Sequence, residues 1–208
     1  MDKKYWIGRW ERGETGWHEP EVEPALVARF SRLKPTRVFV PLCGKSRDLT
    51  WLASQGHEVV GVEAAEQACR AYFDENKIPF EESRAGAFTL FRGGKVSIFN
   101  GDFFDLGPSE LGEIGAVYDR GALIALPSDI RTRYAAHLAG LARGSFEFLQ
   151  IALERIPPDS NGPPFSVSAQ EIALLYGKEF EIALLSREKI DMGDKSHTEE
   201  SVYSLTAR

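Results

Sequence analysis

The chain has 208 residues, with 25 Lys and Arg against 31 Asp and Glu and a formal net charge of -6. Hydrophobic residues make up 43% and charged residues 27%, a globular mixture that excludes disordered, collagenous and coiled-coil readings and suits one domain with a real core. No Lys or Arg run offsets the acidic field, so a nucleic-acid partner is not expected. The apolar stretches at 122–126 and 148–153 fall far short of the roughly 20 residues a membrane span needs. The N-terminus lacks the apolar core of a signal peptide. Cys43 and Cys69 form neither a C-x-x-C pair nor a framework of bridges. A reduced, cytoplasmic protein is expected.

Residues 1–20 are rich in Trp, Gly and charge, including Trp6, Trp10 and Trp17, and show no long apolar period. They read as an arm that packs onto a domain. From Val22 a helical pattern begins, with Pro24 suited to a first turn and Leu26, Phe30 and Leu33 at helical spacing. Residues 37–41 form a first strand, 43–46 a loop, 48–54 a helix with Gly56 at its C-terminal cap, 58–63 a second strand and 64–76 a second helix. Strands at 88–91 and 96–99 flank Gly93-Gly94 as a hairpin. Further strands are expected at 115–119 and 146–153, with a helix from Pro127 to about Ala142 between them. Ser168-Ala169-Gln170-Glu171 is a capping-box signature, and 180–186 and 201–206 are expected to pair as the last strands. Alternating strands and helices predict an α/β, doubly wound, mostly parallel sheet.

The first strand runs into Pro41-Leu42-Cys43-Gly44-Lys45-Ser46, and nineteen residues after Gly44 the second strand ends in Glu63. Ligands of such sheets sit at the carboxyl ends of the strands. A Gly in the first loop lets a ligand approach the backbone, and an acid closing the second strand accepts hydrogen bonds from a ribose diol. The loop is not G-x-G-x-x-G, so a pyrophosphate cradle is missing. Nor is it a P-loop, because Phe39 stands where that motif needs its first Gly. An adenosine ligand without phosphates remains, which points to S-adenosylmethionine; the competing reading is a plain turn beside a surface Glu. Asp102 and Phe103, after the next core strand, fit the adenine amine and one ring face, against the alternative of an Asx-type turn with core aromatics. Asp119-Arg120 closes a later strand. There Arg120 suits a forked contact to a carboxylate, against the alternative of a structural Asp119–Arg120 network.

These strings, together with Gly56-His57-Glu58-Val59-Val60-Gly61-Val62-Glu63, Tyr118-Asp119-Arg120-Gly121-Ala122-Leu123 and Pro163-Pro164-Phe165, resemble thiopurine S-methyltransferase in its bacterial form. The resemblance covers about residues 5–180. It implies the Rossmann-like class I methyltransferase fold, with seven strands, the last antiparallel, over a single domain 1–208 whose residues 1–20 form an arm or lid. It assigns the cofactor to Trp10, Leu42, Glu63 and Arg120. Asp102 and Phe103 match the adenine side, Gly44 the loop, and Trp6 the arm. Trp17 and Phe165 fall to the acceptor. Family members often carry Phe at the Trp17 position, and residues 191–198 depart from the family's Arg-rich pattern, so acceptor contacts from that segment do not transfer.

Displacement at an activated sulfonium needs alignment and water exclusion more than a metal or covalent nucleophile, so no metal and no dedicated catalytic residue are assigned. His18, Asp119 and Arg120 are the groups available for proton handling; His18 also reads as a structural residue of the arm. Cys43 reads as a small buried packing residue and Lys45 as a loop-ordering charge. The expected acceptor is a thiopurine or similar heterocyclic thiol bound by a monomer. The alternatives are methylation of selenium or tellurium oxyanions, in metalloid detoxification, and a catalytically silent cofactor-binding module.

Overall fold

A computed structural model describes residues 3–141, 144, 146–157, 162–191 and 197–208. The chain separates into two compact units, 1–115 and 116–208.

The first unit opens with helix α1 (Lys3–Glu11), none of whose residues is buried. This explains why no apolar stripe announces it in the sequence. Helix α2 (Pro24–Phe30) starts at its Pro, with the Glu23 side chain accepting from Ala25 N. Then come β1 (Arg37–Pro41), α3 (Arg47–Ser54), β2 (Glu58–Glu63), α4 (Glu66–Glu75), β3 (Glu81–Ala85), β4 (Phe88–Gly93) and β5 (Val96–Asn100). A short 3-10 turn (Phe103–Asp105) and α5 (Pro108–Leu111) follow. Strands β5, β2 and β1 lie side by side and parallel, and β4 and β3 continue beyond β5 as an antiparallel meander. The Val-rich β1 and β2 are buried almost throughout, as strands covered on both faces must be. The expected Gly93-Gly94 hairpin is the β4–β5 turn.

The second unit contains β6 (Ala116–Arg120), α6 (Ala122–Ala125), α7 (Ser128–Leu141), β7 (Glu147–Ile156), α8 (Ala169–Tyr176), β8 (Phe180–Ile190) and β9 (His197–Ala207). Strands β6 and β7 are parallel; β9 runs antiparallel between β7 and β8. Ser168 caps α8 by accepting from Glu171 N, as its signature requires. Phe148 packs edge-to-face on Tyr176 and Phe180, with centroids 5.5 and 5.8 Å away.

The seven-strand expectation is corrected to nine strands among the described residues. The three parallel strands of the first unit and the four strands of the second, of which β9 runs antiparallel to its neighbours β7 and β8, make seven; β3 and β4 are the additional pair. Of these, β4 is legible in the sequence, but β3 reads Glu-Glu-Ser-Arg-Ala, is mostly exposed and carries no apolar alternation. It is a strand only because its backbone pairs with β4, and its charges suit an edge. The helix expected to run to about Ala142 is described to Leu141, and Ala142 lies outside the described residues.

Candidate functional site

In the first unit the bend after β1 carries two left-handed residues, Leu42 (φ 46) and Gly44 (φ 53). The first is unfavourable for a side chain and the second natural for glycine. Ser46 then caps α3 by accepting from Asp48 N. The turn brings Gly44 N–H to Glu63 Oε2 at 2.9 Å, while Glu63 Oε1 accepts from Ala65 N at 2.8 Å. The carboxylate is 6% exposed. Burial pushes its pKa up, opposed by the N–H bonds of Ala65, Gly44 and Ala64. Backbone N–H groups of three residues, Gly44, Ala64 and Ala65, act on this carboxylate, and its four lone-pair positions leave one for a further donor.

Trp10 stands over this bend: a Cβ placed on Gly44 would lie 3.3 Å from its Cζ2. Trp17 packs edge-to-face on both Trp6 (5.1 Å) and Trp10 (5.7 Å). The Arg9 guanidinium covers a Trp17 face at 4.8 Å, so that cation-binding surface already holds a cation from the chain itself. The structure thus brings Trp6, Trp10, Trp17, Gly44 and Glu63 into one connected cluster.

Asp102 Oδ1 accepts from Phe104 N at 3.0 Å, and Oδ2 lies 3.6 Å from Lys3 Nζ on α1. Phe103 is buried and stacked parallel to Phe39 at 6.5 Å. Both therefore also meet the turn-and-core alternative read from the sequence. Cys43 is buried, its thiol pushed well up by burial, and its Sγ leaves no room for a Cβ on Gly61; packing is its visible role. Lys45 pairs with Glu75 at the end of α4. His18 is held by its backbone in a turn with Thr15, and burial lowers its pKa.

In the second unit Asp119 and Arg120 end β6, and Gly121 (φ 91) turns into α6. Asp119 is fully buried. Its Oδ1 accepts from Ala122 N and Leu123 N (3.2 and 3.3 Å), and its Oδ2 accepts from Tyr134 Oη at 2.7 Å. Burial, opposed by these bonds, moves it up to about 6. The side chain serves as a cap for α6. Arg120 is half-buried at the strand terminus. Phe165 N donates to Ile124 O at 2.7 Å, tying its loop to α6. The buried Arg131 straps that loop from below, donating to Leu126 O, Ser166 O and Glu171. Of the segment 191–198, residues 192–196 lie outside the described residues.

Sequence reasoning missed Arg131 and Asn100, which sit on no motif. Among the described residues no group of three His, Cys, Asp or Glu is placed to hold a metal ion, and no helix is long and apolar enough to cross a membrane.

The family model described as thiopurine S-methyltransferase matches residues 1–208. The chain belongs to the thiopurine S-methyltransferase family. Curated relatives include the thiopurine S-methyltransferase of Pseudomonas fluorescens (strain SBW25), 40% identical over 219 aligned residues covering 100% of both chains. A probable thiopurine S-methyltransferase of Yarrowia lipolytica (strain CLIB 122 / E 150) is 39% identical, covering 99% of this chain and 100% of its own. Among solved structures, the Burkholderia thailandensis 1,6-didemethyltoxoflavin-N1-methyltransferase, with bound 1,6-didemethyltoxoflavin and S-adenosylhomocysteine, is similar at TM-score 0.68 and 19% identity, covering 99% of this chain and 86% of that one. Magnesium protoporphyrin IX methyltransferase from Synechocystis PCC 6803, with bound SAH, is similar at 0.64 and 17%, covering 97% and 99%. At these identities the likeness establishes the α/β methyltransferase fold, and the thiopurine S-methyltransferase assignment rests on the family match and the curated relatives.

Proposed function

We propose that this member of the family transfers a methyl group from S-adenosylmethionine to the sulfur of a thiopurine or a similar heterocyclic thiol. The observation that carries the cofactor reading is the buried Glu63 carboxylate. It is fixed by Gly44 and Ala65 N–H groups at the carboxyl end of β2, beside a bend that only a glycine occupies without strain. A ribose hydroxyl matches the acceptor position left on that carboxylate. Bound there, S-adenosylmethionine supplies a methyl group on a positively charged sulfur that leaves as a neutral thioether. The chain's own residues bind, align and exclude water. Trp10 covers Gly44, and Trp6 and Trp17 extend the cover as a gate. Arg120, Asp102, Phe103 and Leu42 complete the proposed cofactor set, and the family resemblance assigns Trp17 and Phe165 to the acceptor. An electron-poor heterocyclic thiol ionises readily, so the anion forms the new carbon–sulfur bond without a dedicated base. Asp119 is spent on α6 and Tyr134, which supports a role in structure rather than in proton transfer.

The family match across 1–208 supports one methyltransferase domain, and Trp10 lying over Gly44 supports residues 1–20 as its arm. We also read the protein as a cytoplasmic monomer with a small-molecule acceptor and without nucleic-acid or membrane partners. Calorimetric titration with S-adenosylmethionine, followed by turnover assays on 6-mercaptopurine and on tellurite, tests the whole reading. Tight binding with thiopurine turnover is expected. Faster turnover of tellurite would move the acceptor to a metalloid oxyanion in detoxification, and binding without any transfer would favour a silent module.

A further inference from the structure

Asn100 is the last residue of β5, in parallel register opposite Glu63. Its Nδ2 donates to Glu63 O at 3.0 Å and to Ala64 O at 3.1 Å. Gly101 N donates to the same Glu63 O at 3.0 Å, so this carbonyl is bound twice. Beyond the end of β2 the ladder stops, and the Asn100 amide takes over, holding the next peptide units as a neighbouring strand would. Those units carry Ala65 N, the donor that fixes Glu63 Oε1. Asparagine is depleted in strands, and it stands here after Val96, Ile98 and Phe99. Its two amide hydrogens meet two carbonyls that a carboxylate, hydroxyl or aliphatic side chain in its place would not satisfy together.

We infer that Asn100 is a positioning residue for the adenosine-binding carboxylate. Through the Glu63–Ala65 backbone it sets the orientation of the Glu63 side chain and so the affinity for the nucleoside. This inference rests on the cofactor reading above. A side chain held by both of its neighbours loses less conformational freedom when a ligand docks, which raises affinity without any new contact.

The test is a double-mutant cycle on the full chain, with S-adenosylhomocysteine affinity read by calorimetry and folding read by thermal melting. Asn100→Leu keeps the branching but removes both donors; it is expected to weaken binding about tenfold in the wild-type background. On Glu63→Gln, where the positioned carboxylate is gone, the same change is expected to cost less than about threefold. Asn100→Ser, which retains one donor, is expected to fall between and serves in place of Leu if that variant melts below the assay temperature. Equal losses in both backgrounds, or unchanged affinity, would overturn the inference while leaving the cofactor reading intact. Failure of the wild-type protein to bind S-adenosylhomocysteine would remove both.

Discussion

Glu63 and Asp119 are both buried carboxylates at the carboxyl end of a parallel strand, one in each compact unit, and burial raises the pKa of both. They differ in what their oxygens do. Glu63 is served by backbone N–H groups alone, from Gly44 19 residues away and from Ala64 and Ala65 beside it, and one accepting position is left. Asp119 is closed: two N–H groups of α6 on one oxygen, the Tyr134 hydroxyl on the other and the Gln150 amide as a fourth donor, with no exposed surface. A buried acid is stable only when its acceptors are occupied. An acid that keeps an accepting position at a strand end suits the proposed cofactor contact, and one that is fully served by the fold is part of the fold.

Substitutions should separate the two. The largest effect is expected for Asp119→Ala, which strands the Tyr134 hydroxyl and two N–H groups. About 3 kcal/mol of stability should be lost, read by denaturant unfolding. A fully stable variant would show that Asp119 does not cap α6. Next, Glu63→Ala is expected to weaken S-adenosylhomocysteine binding by about 1–3 kcal/mol, with a smaller change in melting temperature than Asp119→Ala. Equal stability losses from the two would erase the distinction. Gly44→Ala forces a side chain into the left-handed region and against Trp10, and is expected to cost about 1 kcal/mol. Activity should fall with it.

The smallest effects are in pH dependence. The folded chain holds the Asp119 proton up to about pH 6, against an ordinary 3.8, so this group's contribution to stability declines as pH rises through that window. Asp119→Asn should flatten the difference between melts at pH 4.5 and 7. The opposite slope belongs to the first unit. Burial lowers the pKa of His57, whose neutral Nδ1 accepts from Thr36 N at 3.1 Å. The unfolded chain therefore takes up that proton first, and stability falls as pH drops below the ordinary 6.5. His57→Asn should reduce that acid loss; an unchanged acid limb in the variant would assign it elsewhere.

The parallel core was legible because β1 and β2 are apolar along nearly their whole length, a pattern that requires burial on both faces. The Ser46 and Ser168 caps and the Gly93-Gly94 turn were legible because their chemistry is local. Strand β3 was not, since an exposed edge strand needs only its backbone. Helix α1 was not, since it buries no residue. Glu63 and Gly44 were singled out by their strand-end and loop positions, and the structure joins them by a hydrogen bond. Asn100 was passed over between a strand and a motif because its partners are carbonyls, which leave no trace in residue identity.

Residue order alone therefore determined the strand–helix alternation, the glycine bend after β1, the acid at the end of β2 and the kinship those strings carry, because each depends on neighbours close along the chain. Which of the strand-end acids keeps accepting capacity was decided by the folded structure. Tyr134 lies 15 residues beyond Asp119, and Asn100 lies 37 beyond Glu63. Only packing brings such distant donors to their acceptors.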